Sequence, residues 1–138
     1  MDGRHITILI AEDHDSNRKL LALLLEQEGY DVRLATDGLE ALEEMKKTAF
    51  DAVITDRDMP RMNGVEFLVL SRAIWPETPV ILVSAHANDR KETGRLRGAF
   101  AWLQKPYEFH QLLEVLQAAI DTSPHRDWAQ SSTTTLSS

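Results

Sequence analysis

A doubly wound α/β domain, with five parallel strands covered by helices on both faces, is the fold this sequence predicts. Two observations carry that prediction. Short apolar runs alternate with longer amphipathic stretches from His5 to about Thr122, five times over. The runs themselves are nearly continuously apolar, as in strands buried on both sides. The chain of 138 residues has room for one domain with a substantial core and hardly for two.

Ile6-Thr7-Ile8-Leu9-Ile10-Ala11 reads as the first strand, β-branched and short. Asp15 is placed to N-cap a leucine-rich helix from Ser16 to Glu28, which Gly29 ends. Asp31 to Thr36 is a second strand with Val32 and Leu34 on one face, and Gly38 to Lys47 a helix with Ala41, Leu42 and Met45 at helical spacing. Ala52-Val53-Ile54-Thr55 is the third strand, and a helix from Gly64 to Ile74 follows the turn Asp56-Arg57-Asp58-Met59-Pro60. Pro76 and Pro79 mark a loop before the fourth strand, Val80-Ile81-Leu82-Val83. Asp89 to Arg97 reads as a weaker helix, containing Gly94 and almost no apolar face. Phe100-Ala101-Trp102-Leu103 is the fifth strand, stopped by Lys105-Pro106, and Phe109, Leu112, Leu113, Leu116 and Ile120 form the apolar stripe of a last helix. From residue 123 to 138 the chain becomes Ser- and Thr-rich and is expected to be a flexible tail or a truncated linker.

Composition excludes several functions. The formal net charge of −7 argues against a broad phosphate-backbone footprint, so no direct nucleic-acid binding is expected. The absence of cysteine removes disulfides, thiolate metal sites and cysteine nucleophiles. No stretch is apolar enough for a membrane span, and the first residues lack a signal-peptide core, so the expected location is cytoplasmic.

In open parallel sheets, function gathers at the carboxyl ends of the strands. The first strand ends in Glu12-Asp13, the third in Asp56, the fourth in Ser84 and the fifth in Lys105, while the second ends in Thr36-Asp37 and stands apart. Converging carboxylates repel one another unless a hard cation such as Mg²⁺ joins them. A lysine and a hydroxyl beside such a cation suit a phosphoryl group, and an aspartate can carry one. Each residue alone has a plainer reading as a helix cap, a loop hydroxyl, a solvated charge or core. Their coincidence at successive strand ends is what points to chemistry.

The segments Ile8-Leu9-Ile10-Ala11-Glu12-Asp13, Asp56 to Gly64, Val83-Ser84-Ala85 and Leu103-Gln104-Lys105-Pro106 resemble the receiver domains of two-component response regulators. The resemblance runs over residues 5–122 and implies a flavodoxin-like (βα)5 fold with strand order 2-1-3-4-5. It makes Asp56 the phosphoacceptor, with Mg²⁺ held by Asp13, by Asp56, by the backbone carbonyl of Asp58 and, through water, by Glu12. Ser84 and Lys105 become the groups that bond the phosphoryl oxygens, and Ser84 with Trp102 the switch pair. Asp58 and His86, each two residues beyond a key position, are expected to flank the attacking water and tune the phosphoryl lifetime. The partners implied are a sensor histidine kinase or histidine phosphotransfer protein and a downstream effector, with phosphorylation-linked homodimerisation left open. The expected output surface is the Asp89–Arg97 helix, the fifth strand and the last helix, and the expected behaviour is that of a self-modifying switch rather than a turnover enzyme. A cis Lys105-Pro106 bond is typical of that family.

Two rivals fit less well. An aspartate-nucleophile phosphatase resembling the haloacid dehalogenases would use Asp56-Arg57-Asp58, but Met59-Pro60 follows and no later acidic metal motif is evident. A nucleotide- or flavin-binding module would need a glycine-rich phosphate loop where this chain has Glu12-Asp13-His14-Asp15. A receiver-like domain that no longer uses phosphate is the third alternative, and the intact key positions stand against it.

Overall fold

The structure is a computed structural model that describes residues 5–86 and 98–122. Five strands, β1 (Thr7–Ala11), β2 (Asp31–Ala35), β3 (Ala52–Asp56), β4 (Val80–Ser84) and β5 (Ala101–Gln104), form one parallel sheet in the order β2-β1-β3-β4-β5. The described helices are α1 (Asp15–Gln27), α2 (Gly38–Lys47), α3 (Gly64–Ile74) and α4 (Phe109–Thr122). The expected strand order is thus observed. The helix expected over 89–97 and the tail over 123–138 lie outside the described residues.

Alternation along each strand divides the core in two. Ile8, Ile10, Ile54, Ile81 and Val83 pack with Leu25 of α1 and Leu112 and Leu116 of α4. Leu9, Val53 and Val80 point the other way, against Ala41 and Met45 of α2 and Phe67 and Leu68 of α3. The central β3 and β4 are buried throughout, as their unbroken apolar runs require. β2 is an edge strand, and there Val32 is half-buried while Leu34 is exposed.

Local chemistry sets the ends of the helices. Asn63 and Glu66 form a reciprocal capping box at the start of α3, and Asp37 caps α2 by accepting from Glu40 N at 2.9 Å. Gly29, at φ +98°, supplies the left-handed residue that ends α1. One expectation is corrected here. His14, not Asp15, occupies the N-cap of α1 and makes no side-chain cap; Asp15 lies inside the first turn, where it pairs with Arg18. The β3 and β4 strands each run one residue further than their apolar runs, taking in Asp56 and Ser84, while β5 begins one residue later, leaving Phe100 outside.

Candidate phosphoacceptor site

Strand register assembles the site. Ala11 pairs with Thr55, so Glu12 emerges beside Asp56. Asp56 pairs with Val83, and Ser84 with Gln104, which sets Ser84 and then Lys105 along the same edge. Backbone bonds extend the ladder past the strands: Arg57 N donates to Val83 O and Lys105 N to Ser84 O, both at 2.8 Å.

The geometry centres on Lys105. Its Nζ lies 3.1 Å from Asp56 Oδ1 and 3.7 Å from Glu12 Oε1, bridging two carboxylates that are each only 8% exposed. Burial raises the pKa of Asp56, and the negative charge of Glu12 adds to the rise against the opposing pull of Lys105. Burial works against the Lys105 ammonium as well, but its carboxylate neighbours more than offset this and its pKa is raised. The bond from Lys105 to Pro106 is cis.

Around this pair the other expected residues take distinct places. Glu12 Oε2 accepts from His14 N at 3.0 Å, with His14 Nδ1 at 3.3 Å. Asp13 Oδ1 is buried and accepts no hydrogen bond among the described residues, with His14 Nδ1 3.4 Å away. Glu12, Asp13 and His14 each offer a ligand atom within 4.8 Å of the others. A carboxylate oxygen left without a donor, next to further carboxylates, fits a hard divalent cation. Ser84 is fully buried, and its Oγ accepts from His86 N at 3.0 Å. Asp58 and His86 meet directly, His86 Nε2 lying 2.8 Å from Asp58 Oδ2. Burial alone would raise the Asp58 pKa, but His86 and Arg57 overcome it and hold the carboxyl below the usual range. Trp102 is half-buried in β5, and its Nε1 has no hydrogen-bond partner among the described residues.

Gly64 permits the turn after Asp56. A Cβ there would stand 2.1 Å from the Asp56 carbonyl oxygen, and Gly64 N donates to Arg57 O at 2.8 Å. The intervening loop is tied down by Arg61, at φ 64°, whose Nε donates to Asp37 Oδ2 at 2.6 Å.

Three contributors escaped the sequence reading: Arg18, buried beneath Glu12; Arg61 with Asp37; and Tyr107, whose phenol burial raises in pKa beside Lys105. The sequence shows Arg18 only as an arginine in a helix's first turn, and its burial becomes visible in the structure alone.

Comparison with known proteins gives a consistent result. The family model described as the response regulator receiver domain matches residues 8–117. The transcriptional regulatory protein ZraR of Klebsiella oxytoca is 35% identical over 121 residues, covering 87% of this chain and 27% of that protein. The chain therefore spans about a quarter of that relative's length. Among solved structures, the Vibrio cholerae chemotaxis protein CheY4 superposes with a TM-score of 0.77 at 34% identity, covering 84% of this chain and 99% of that one. Response regulator protein TrrA from Thermotoga maritima, solved in complex with Mg²⁺-BeF, gives 0.77 at 29% identity, covering 83% of this chain and 98% of that one. With its fold, the order of its strand-end residues and these matches in agreement, the chain belongs to the response regulator receiver domains of two-component signalling.

Proposed function

We propose that this receiver domain takes a phosphoryl group onto Asp56, with Mg²⁺, from a phosphohistidine of a sensor histidine kinase or histidine phosphotransfer protein. The observation that supports this most is the Lys105 ammonium set between the buried carboxylates of Asp56 and Glu12. An Asp56 carboxylate oxygen forms the new P–O bond as the P–N bond breaks, and the electron pair of that bond stays on the leaving imidazole. Burial leaves the Asp56 carboxylate poorly solvated, so bonding to phosphorus relieves part of that cost. Lys105 then neutralises charge on the phosphoryl oxygens. Asp13, Asp56 and the Asp58 carbonyl would hold Mg²⁺, with Glu12 reaching it through water, and the ion would supply further charge neutralisation.

Ser84 and Trp102 form the switch in this reading. Ser84 Oγ accepts from His86 N and keeps its own O–H to donate to a phosphoryl oxygen, so its movement is felt in the loop whose His86 meets Asp58. Trp102 turns inward as Ser84 moves. The output surface is β5, α4 and the chain between β4 and β5, presented to an effector domain or protein. Residues 5–122 are the receiver and 123–138 its tail or linker, working in the cytoplasm without direct nucleic-acid contact. Asp58 and His86 tune how long the phosphoryl group persists, because their contact lies between the two loops expected to flank the attacking water.

Intact-mass measurement after incubation with acetyl phosphate tests the proposal, with and without Mg²⁺ and alongside Asp56→Asn. One added phosphoryl group requiring both Mg²⁺ and Asp56 is the expected result. No adduct under rapid quench, with a control receiver labelled by the same donor, would favour a phosphate-independent interaction domain.

A further inference from the structure

Arg18 is a charged side chain almost wholly out of solvent, at 8% exposure, one turn into α1. The apolar core does not need a guanidinium there, and burying one is costly unless its donors are used. Two partners use them. Nη1 donates to the backbone carbonyl of Glu12 at 2.9 Å, and Nη2 is held by the Asp15 carboxylate. The Glu12 carbonyl belongs to the peptide that joins Glu12 to Asp13, where β1 has ended and α1 has not begun. Two other bonds fix that segment: Glu12 N donates to Ala35 O at 3.0 Å, and His14 N donates to Glu12 Oε2. Among the described residues, Arg18 is what holds the carbonyl side of the same peptide.

We infer that Arg18 is a positioning residue for the acidic pair, setting the Glu12–Asp13 peptide so that the Asp13 carboxylate is ready for a divalent cation. The inference rests on the Mg²⁺-dependent reading above and adds a residue to it. Geometry and charge make opposite demands. A cation near the acidic pair repels Mg²⁺, so if only its field mattered, removing Arg18 would tighten metal binding. If Arg18 acts by orienting ligands, removing it loosens the site, as loss of an outer partner of a metal ligand commonly does, by about 10-fold or more. Asp15, 75% exposed on its side chain, anchors the guanidinium from the solvent side and fixes the direction of its fork.

The test is a Mn²⁺ titration of the whole chain, counting free ion by its paramagnetic resonance and adding Mg²⁺ as competitor. Wild type, Arg18→Met and Arg18→Lys are compared, each with its melting temperature in metal-free buffer. Expected are a Kd about 10-fold weaker for Arg18→Met and a smaller loss for Arg18→Lys, which keeps a donor but not the fork. In acetyl-phosphate labelling, the Mg²⁺ concentration for half-maximal rate should rise with the maximal rate nearly kept. An unchanged or tighter Kd in folded Arg18→Met would overturn the inference. Should that variant fail to fold, an unchanged Kd in Arg18→Lys would overturn it instead. Absence of saturable binding in wild type would sink the Mg²⁺ reading itself, a different outcome from either.

Discussion

Asp37 and Asp56 each follow or end a parallel strand, and both are nearly shut off from solvent, at 3% and 8% exposure. Burial is the largest influence on each, pushing both pKa values up. Yet they end on opposite sides of the ordinary value. Asp37 falls below it because Arg61 and the first-turn N–H groups of α2 bond the charged form. Asp56 stays above it because Glu12 adds repulsion, and Lys105 with the Arg57 backbone N–H is not enough to compensate. The first carboxylate is bonded by an arginine and a helix N-terminus and holds two loops together; the second shares its lysine with a neighbouring carboxylate. Burial therefore does not distinguish a structural acid from the proposed acceptor. The balance of bonds to the charged form does.

The largest effect expected is at the glycine on which the second site leans. Gly64→Ala should lower stability by about 3 kcal/mol or more, since the added Cβ would overlap the Asp56 carbonyl and the backbone must move. Denaturant midpoints check this, and a loss below about 1 kcal/mol would show that the turn is not tightly set.

Asp37→Ala comes next, with a loss of about 2 kcal/mol from the missing cap and the broken tie to Arg61. Its pH dependence has a definite sign. A carboxyl with a lowered folded pKa stabilises above the usual Asp range, so the advantage of wild type should fade as pH drops through and below about 4. Equal stability of the two proteins at pH 7 would break the comparison.

Asp56→Asn should do the reverse, raising stability at neutral pH by about 1 kcal/mol, because it removes a buried charge that burial and Glu12 disfavour. A raised folded pKa favours the fold only at pH low enough to protonate the acid. The gain should therefore shrink towards zero as pH falls below the ordinary Asp range and grow as pH rises through the raised pKa. Destabilisation at pH 7 would show that Asp56 is as well satisfied as Asp37. His86→Ala should have the smallest effect on stability, under about 0.5 kcal/mol, because both partners of its exposed pair keep water. The rate of dephosphorylation should nevertheless change, and an unchanged rate would remove His86 from the site's chemistry.

The elements could be read from the sequence because each is a local pattern. The stripe of α4 and the unbroken runs of β3 and β4 name their own partners by periodicity. Glu12, Asp56, Ser84 and Lys105 were legible for a related reason: each ends or follows a strand, and a parallel sheet brings such ends together. What escaped depends on contacts between loops. The Asp37–Arg61 tie spans 24 residues and no period connects it; Asp58 and His86 are legible as a pair by their offsets from Asp56 and Ser84, but their direct contact across 28 residues is not. The misplaced cap of α1 has a local cause. Asp15 is a good capping residue by type, but the helix starts one residue earlier, so its exposed carboxylate pairs with Arg18 one turn on instead of capping. Asp37 showed only its position, and whether a buried acid is satisfied is known once its donors are in place.

The most direct test of the central claim is to locate the phosphoryl group. The protein would be labelled with acetyl phosphate and Mg²⁺, reduced with borohydride, which converts an aspartyl phosphate to homoserine, and mapped by peptide mass. Homoserine at position 56 alone is the result expected if the buried carboxylate beside Lys105 is the acceptor. Label on Asp37, Asp13 or Asp58, or stable label that resists reduction, would contradict it.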